Sequence, residues 1–107
     1  EDYLNEERFA IQLAGGKFRM KQWGKKKIEQ ALKEKQVSSY CIKTALAQID
    51  EADYRKTLDR LAEKKWQVLR AEKNIFIKKR KLQDYLLQKG YEYELIREVI
   101  NSYEKAR

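Results

Sequence analysis

Apolar residues recur along this chain at the spacing of buried helical faces. The clearest case follows the i, i+3, i+4, i+7 pattern of one stripe: Ile42, Ala45, Leu46, Ile49. Ser38 precedes this stripe and is a candidate N-cap. No segment shows the period-two alternation of a half-buried strand. The pattern therefore predicts an all-α fold with six helices, near residues 2–22, 25–35, 38–49, 51–72, 75–89 and 92–105.

The second half of the chain repeats the apolar pattern of the first. At an offset of 54, residues 26–50 align with residues 80–104, and nine apolar positions of the first segment, between Ile28 and Ile49, meet apolar positions of the second. A fixed offset of this kind is typical of repeated structural units. We expect two tandem three-helix repeats, residues 1–50 and 51–107, forming an elongated right-handed or solenoid-like helical array.

The turn before each third helix is the point where the repeats differ. Gly90 stands where a helix ends in a left-handed residue, and Gln36 occupies the matching position of the first repeat. A non-glycine residue has a steric penalty in that conformation. If Gln36 adopts it, we expect the first turn to be the more strained of the two.

Composition narrows the class of partner. The chain has 107 residues, no proline, four glycines and a net charge of +8, which favours unbroken helices and an anionic partner: nucleic acid, an acidic protein groove or a lipid surface. A membrane surface is the least favoured, because no wholly apolar helix face opposes the basic one, and no apolar run is long enough to span a bilayer. One cysteine, Cys41, cannot form an internal disulfide, so we expect a reduced, cytoplasmic setting and a small buried core role for Cys41.

Positive charge concentrates at the corner between the first and second helices of each repeat. Residues 17–35 hold eight Lys or Arg against two Glu, and residues 60–81 hold nine against two. Lysines at a helix start oppose the helix dipole, so the "KKK" after Gly24 is locally unfavourable. Because the offset of 54 repeats this cluster, we predict a basic edge that faces an anionic partner: Lys25, Lys26, Lys27, Lys78, Lys79, Arg80, Lys81. Additional contacts are expected from Lys17, Arg19, Lys21, Lys64 and Lys65.

Catalytic chemistry has little support in the sequence. Histidine is absent, which removes the usual general base and the usual zinc and triad motifs, and no glycine-rich phosphate loop is present. We therefore expect no enzyme, no catalytic residue, no metal and no cofactor. Trp23 and Trp66 lie beside lysines, where they either stack on bases or fill the seam between helices. The seam is the favoured interpretation.

Several short motifs, in order, resemble the RecX family of bacterial recombination regulators: "LNEERFA" (4–10), "KFR" (17–19), "WGKKKI" (23–28), "AL" (45–46), "EKKW" (63–66) and "YLLQKGYEYELI" (85–96). The resemblance covers nearly the whole chain. Members of the family are built of three tandem three-helix repeats, so the chain resembles the second and third and is expected to be part of a longer protein. Gln36 departs from the glycine that members usually carry there.

The resemblance implies a function. It implies a non-catalytic modulator that lies in the groove of the RecA recombinase filament on DNA and usually inhibits strand exchange and ATP hydrolysis. We also expect a monomer. The residues by themselves leave a second interpretation open, a basic helical module that binds single- or double-stranded DNA directly through phosphate contacts.

Overall fold

The computed structural model describes residues 2–105, with side chains described for residues 5–103. The helices are α1 (Asp2–Gly16), α2 (Lys25–Glu34), α3 (Ser39–Ala47), α4 (Glu51–Val68), α5 (Ile75–Lys89) and α6 (Tyr93–Lys105). A π-helical turn (Lys17–Lys21) extends α1, and a 3₁₀ turn (Leu69–Ala71) extends α4. No residue from 2 to 105 lies in a strand. The six predicted helices are confirmed, with ends that differ by a few residues.

The helices form an elongated array. The molecule measures 56 × 24 × 21 Å along its principal axes. In the first unit α1 packs against α3, and α2 contacts both; in the second unit α5 packs against α4 and α6. The all-α fold of two tandem three-helix units is therefore confirmed. The boundary between residues 50 and 51 stays a prediction.

The end of the first helix is less regular than a single helix over residues 2–22. In the π-helical turn the backbone hydrogen bonds join residues five positions apart instead of four, so the turn holds an extra residue. The residue that follows the turn, Gln22, has a left-handed φ of 59°. The turn carries Phe18 into the core, where its side chain is buried. The sequence pattern treats residues 2–22 as one helix, because the extra residue disturbs helical spacing only locally.

Capping side chains fix the starts of three helices. Ser38 Oγ accepts a hydrogen bond from the Cys41 N–H at 3.3 Å, which confirms the predicted N-cap. Asp50 caps α4 through the Asp53 N–H at 2.9 Å, and Asn74 caps α5. By contrast, the N-cap residue of α2 is Gly24, which has no side chain to cap the helix. The first turn of α2 must therefore find its acceptors elsewhere.

The turns after α2 and α5 share one hydrogen-bond pattern. Val37 N–H bonds to Leu32 O at 3.1 Å, and Tyr91 N–H bonds to Leu86 O at 3.2 Å. In each turn the residue between is left-handed, with φ of 62° at Gln36 and 100° at Gly90. Both turns are Schellman motifs, in which a left-handed residue satisfies the last carbonyls of a helix. The structure thus confirms the same backbone at both positions, one of them without glycine.

Cys41 belongs to the core, as predicted. Its side chain is 0% exposed, and its thiol lies 3.4 Å from Glu6 Oε1. The hydrogen bond from Ser38 lowers the pKa of the thiol, but burial and the Glu6 carboxylate outweigh it, so the pKa of Cys41 lies above its ordinary value. The thiol is therefore held protonated at neutral pH.

Candidate functional site

The first turn of α2 contacts the last turn of α5. The Gly24 N–H donates to Lys89 O at 2.8 Å, and the Lys26 N–H donates to Gly90 O at 2.9 Å. The Lys25 N–H donates to the Tyr54 hydroxyl at 2.7 Å. Unpaired donors at the start of one helix thus satisfy unpaired acceptors at the end of another. We call this contact the inter-unit joint, since it joins the first three helices to the last three.

The joint also explains part of the lysine run after Gly24. The negative end of the α5 dipole faces the positive end of the α2 dipole, so cations at the start of α2 lie close to carbonyl oxygens at the end of α5. Lys27 Nζ lies 3.5 Å from Gln88 O. Lys27, which is unfavourable for α2 alone, is therefore compensated within the fold.

Two glycines allow the helix ends to meet. A Cβ on Gly24 would lie 2.3 Å from the carbonyl carbon of Gly90, and a Cβ on Gly90 would lie 2.4 Å from Lys27 Cβ. Neither separation is compatible with ordinary atomic contact, so a side chain at either position forces the two backbones apart. The joint depends on both glycines.

An aromatic cluster supports the joint. The ring centroid of Tyr54 lies 5.8 Å from that of Phe18 and 5.1 Å from that of Tyr91. The Tyr54 hydroxyl donates to Glu92 Oε1 at 2.5 Å, and the Tyr91 hydroxyl donates to Gln22 O at 3.0 Å. Burial raises the pKa of both phenols well above the ordinary value. Both hydroxyls therefore stay neutral and able to donate.

The first predicted basic cluster has members in different surroundings. Lys25 is half-buried, pairs with Glu51 Oε2 at 3.1 Å and lies 4.8 Å from the Tyr54 ring centroid. Lys27 lies 4.8 Å from the ring centroid of Trp23. Lys26 is exposed. Lys25 is thus turned into the joint, while Lys26 and Lys27 lie at the surface beside it.

More positive charge gathers around Trp23. Lys17 Nζ lies 5.0 Å from the ring centroid of Trp23, and Lys89 Nζ donates to Lys21 O at 2.9 Å. Burial and the charges of Lys27 and Lys21 lower the pKa of Lys89. The sequence pattern does not predict Lys89 at this site, because nothing local places it beside lysines more than sixty positions away.

The second predicted basic cluster lies in the second turn of α5 and not at its start, because α5 begins at Ile75. Lys78 Nζ lies 4.1 Å from the Trp66 ring centroid, and Lys81 pairs with Glu72 at 3.3 Å. Lys79 lies 5.5 Å from the ring centroid of Phe76. The clusters that match in sequence therefore differ in position relative to the helix start.

The remaining predicted contacts follow the same corners. Lys65 Nζ lies 5.0 Å from the ring centroid of Tyr85, while Lys64 and Arg80 are exposed. Arg19 lines a shallow cleft of about 230 Å³ beside α4, together with Lys56, Arg60 and Asp53. Lys56 and Arg60 were not predicted; their helical spacing of four on α4 is the signal that could have found them.

A line of cations follows one face of α5. Tyr85 and Lys89 lie seven and eleven positions after Lys78, which places each of them within about 20° of Lys78 around the helix. Lys65 lies over Tyr85, and Lys27 adjoins Lys89 at the joint. Within the described part of the chain, none of these lysines pairs with a carboxylate. We call Lys27, Lys65, Lys78 and Lys89 the α5 basic band.

The two tryptophans fill helix seams. Trp66 stacks on Tyr103 with ring centroids 5.0 Å apart, and both Trp23 and Trp66 are partly buried against the core. Lysine ammonium groups lie over both indoles. The geometry favours the seam interpretation over stacking on bases.

Neither a metal site nor a membrane-spanning helix is found in the described part of the chain. Residues 5–103 contain no group of three or more His, Cys, Asp and Glu side chains arranged to hold a metal ion. Residues 2–105 contain no helix that is both long and apolar enough to cross a membrane.

Comparison with known proteins gives one consistent family. Residues 5–46 match the profile described as "RecX, second three-helix domain", and residues 52–100 match "RecX, third three-helix domain". Two proteins named "Regulatory protein RecX", from Clostridium perfringens strains 13 and SM101, are each 35% identical over 98 residues. The match covers 91% of this chain and 45% of each relative, so the chain spans about half their length. No solved structure gives a significant match. The chain belongs to the RecX family and carries the second and third of its three-helix domains.

Proposed function

We propose that this chain is a non-catalytic regulator that binds the RecA filament on DNA and inhibits strand exchange and ATP hydrolysis. Membership of the RecX family supports the choice of RecA as partner, and the name of the relatives, "Regulatory protein RecX", supports a regulatory role. The proposal includes a monomer, a cytoplasmic location and a division into domains at residues 1–50 and 51–107.

The α5 basic band is the observation that carries the proposal. Lys78 and Lys89 are separated by about 16 Å along α5 at 1.5 Å per residue. Each strand of B-form DNA advances about 3.4 Å per phosphate, so the band spans roughly four or five phosphates. An elongated molecule of 56 Å with cations in a line is suited to lie along a polyanionic filament.

The α5 basic band divides the residues of the predicted basic edge into those with a larger and those with a smaller expected share of filament binding. Lys27 and Lys78 lie on the band, and Lys26, Lys79 and Arg80 lie one or two positions from them in the sequence. Lys25 and Lys81 each have a carboxylate partner, so we assign them the smaller share of filament binding. This assignment of the edge is itself part of the proposal.

Paired charge neutralisation tests the band. The test variant is Lys65→Gln with Lys78→Gln; the control is Lys43→Gln with Arg97→Gln, on α3 and α6, which removes the same charge. Both variants should fold like wild type in thermal melts. For the test variant, binding to RecA-coated DNA should weaken, and the slope of log affinity against log salt should fall by about one unit for each phosphate that the variant no longer neutralises. Equal weakening in both variants would mean that net charge alone determines binding and that no band exists.

Direct DNA binding is the second candidate, because the band's length also suits bare DNA. The two candidates separate in one comparison. A RecA-directed regulator binds RecA-coated DNA more tightly than the same DNA without RecA at equal salt, while a direct DNA-binding module does not.

A further inference from the structure

The tip formed by the end of α4 and the start of α5 exposes large apolar side chains. Phe76 is 75% exposed, Val68 is 72% exposed and Ile77 is 43% exposed. The matching corner of the first unit, around Gly24, is covered by α5 at the joint. The tip of the second unit has no such cover within the described chain.

The tip does not require another three-helix unit to complete it. Asn74 Oδ1 accepts the N–H groups of Phe76 and Ile77 at 2.9 and 3.3 Å, and Asn74 O accepts the Lys78 N–H at 2.9 Å. The first donors of α5 are thus satisfied inside the unit, whereas those of α2 depend on the joint. The corner of the second unit therefore satisfies its own helix start, whereas the corner of the first unit needs acceptors from the second unit.

A second copy of this chain is also unsuited to cover the tip in the geometry of the joint. The start of α5 in one copy would then lie against the end of α2 in the other, where Gln36 stands in the position of Gly90. A Cβ at Gly90 would lie 2.4 Å from the neighbouring helix, and Gln36 has that Cβ in the same left-handed backbone. Extension of the array through a copied joint is therefore sterically blocked.

The charge around the tip selects an anionic occupant. Residues 68–81 contain six cations and a single acid. That acid, Glu72, accepts the Asn74 N–H and pairs with Lys81, and these contacts lower its pKa. Arg70, Lys73 and Arg80 are exposed, and each lies within six positions of Phe76 in the chain. The tip thus combines an open aromatic ring with surrounding positive charge.

We propose that Phe76 is a stacking platform for a base of single-stranded nucleic acid, with neighbouring phosphates held by Arg70, Lys73 and Arg80. Single strands bind sites that pair aromatic faces with cations, because each nucleotide offers both a flat ring and a phosphate. Lys79 lies 5.5 Å from the ring centroid of Phe76, and the large exposed fraction of Phe76 leaves room for a base. An acidic peptide would bind the cations, but it has no need of an exposed aromatic ring on which to stack. This inference goes beyond the proposed function, since it needs no recombinase.

The test uses fluorescence anisotropy with two labelled oligonucleotides of about 12 residues, oligo-dT and an abasic strand of the same length and charge, without RecA. The variants are Phe76→Ala and, as a matched control, Tyr93→Ala, which removes an exposed aromatic on α6 that also has a cation over its ring. Circular dichroism melts verify that both fold. Phe76→Ala should weaken oligo-dT binding about five- to a hundredfold. It should leave abasic binding unchanged, and Tyr93→Ala should change neither.

Three results would overturn the inference. One is an equal weakening of binding to the oligo-dT and abasic strands, and another is an equal effect of Tyr93→Ala. The third is a Phe76-dependent affinity for a poly-glutamate peptide that matches the affinity for oligo-dT, which would make the occupant an acidic protein. Because RecA is absent, failure of the proposed RecA function would leave this outcome unchanged.

Discussion

A methyl group at Gly24 should separate the two halves of the molecule. In Gly24→Ala the new Cβ would lie 2.3 Å from Gly90 C, 2.4 Å from Gly90 O and 2.5 Å from Tyr91 N. All three atoms belong to the backbone, so no flexible side chain can move aside. Gly24 itself has an ordinary φ of −78°. The cost of the substitution therefore comes from the contact and not from backbone strain at residue 24.

The magnitude follows from the hydrogen bonds that hold the joint. Relief of the clash needs a shift of the helix ends on the order of 1 Å, since ordinary contact distances to carbon are about 3.5 Å. Such a shift breaks the bonds from Gly24 N–H to Lys89 O and from Lys26 N–H to Gly90 O. Each buried backbone group left without a partner costs about 1–3 kcal/mol. We expect Gly24→Ala to lower the free energy of unfolding by about 2–4 kcal/mol.

Urea unfolding followed by circular dichroism measures this difference. The matched control is Gly16→Ala, where a Cβ would meet nothing within 4 Å. Because alanine is the better helix former, that variant should be about 0.5–1 kcal/mol more stable than wild type. A Gly24→Ala protein with wild-type stability would refute the close contact of α2 with α5.

Three further predictions concern stability and reactivity. Gln36→Gly should raise the free energy of unfolding by a few tenths to about 1 kcal/mol, because it relieves a left-handed φ. Gly90→Gln should lower it by more than that, since the new side chain also meets α2; urea midpoints that do not move would contradict both. Tyr54→Phe removes the acceptor of the Lys25 N–H and should lower the free energy of unfolding by about 1–3 kcal/mol in thermal melts. The Cys41 thiol, buried and with a raised pKa, should react with a disulfide reagent at pH 8 only as fast as the protein opens; rapid reaction of the folded protein would show that the thiol is accessible.

Local features of the fold followed from the sequence. The apolar spacing predicted the six helices, Ser38 was recognised as an N-cap, and the position of Gly90 indicated a left-handed turn that Gln36 shares. Each of these depends on residues within a few positions of one another. Helical periodicity and capping are short-range effects, so a single sequence carries them directly.

Contacts between the units did not follow from the sequence. The joint brings Gly24 against Gly90 and places Lys27 near Lys89, and no local rule relates positions so far apart. One signal was present, since a helix that starts at glycine without a capping side chain needs acceptors from another element. The exposure of Phe76 could not be predicted either, because the apolar run of residues 75–77 has the composition of a core segment.

The affinity of the wild-type chain for RecA-coated single-stranded DNA, compared with the same DNA without RecA at equal salt, tests the central claim most directly. The account predicts tighter binding to the coated DNA, together with slower ATP hydrolysis by RecA as the chain is added. Equal or weaker binding to the coated DNA, with unchanged hydrolysis, would contradict it and would favour a module that binds DNA alone.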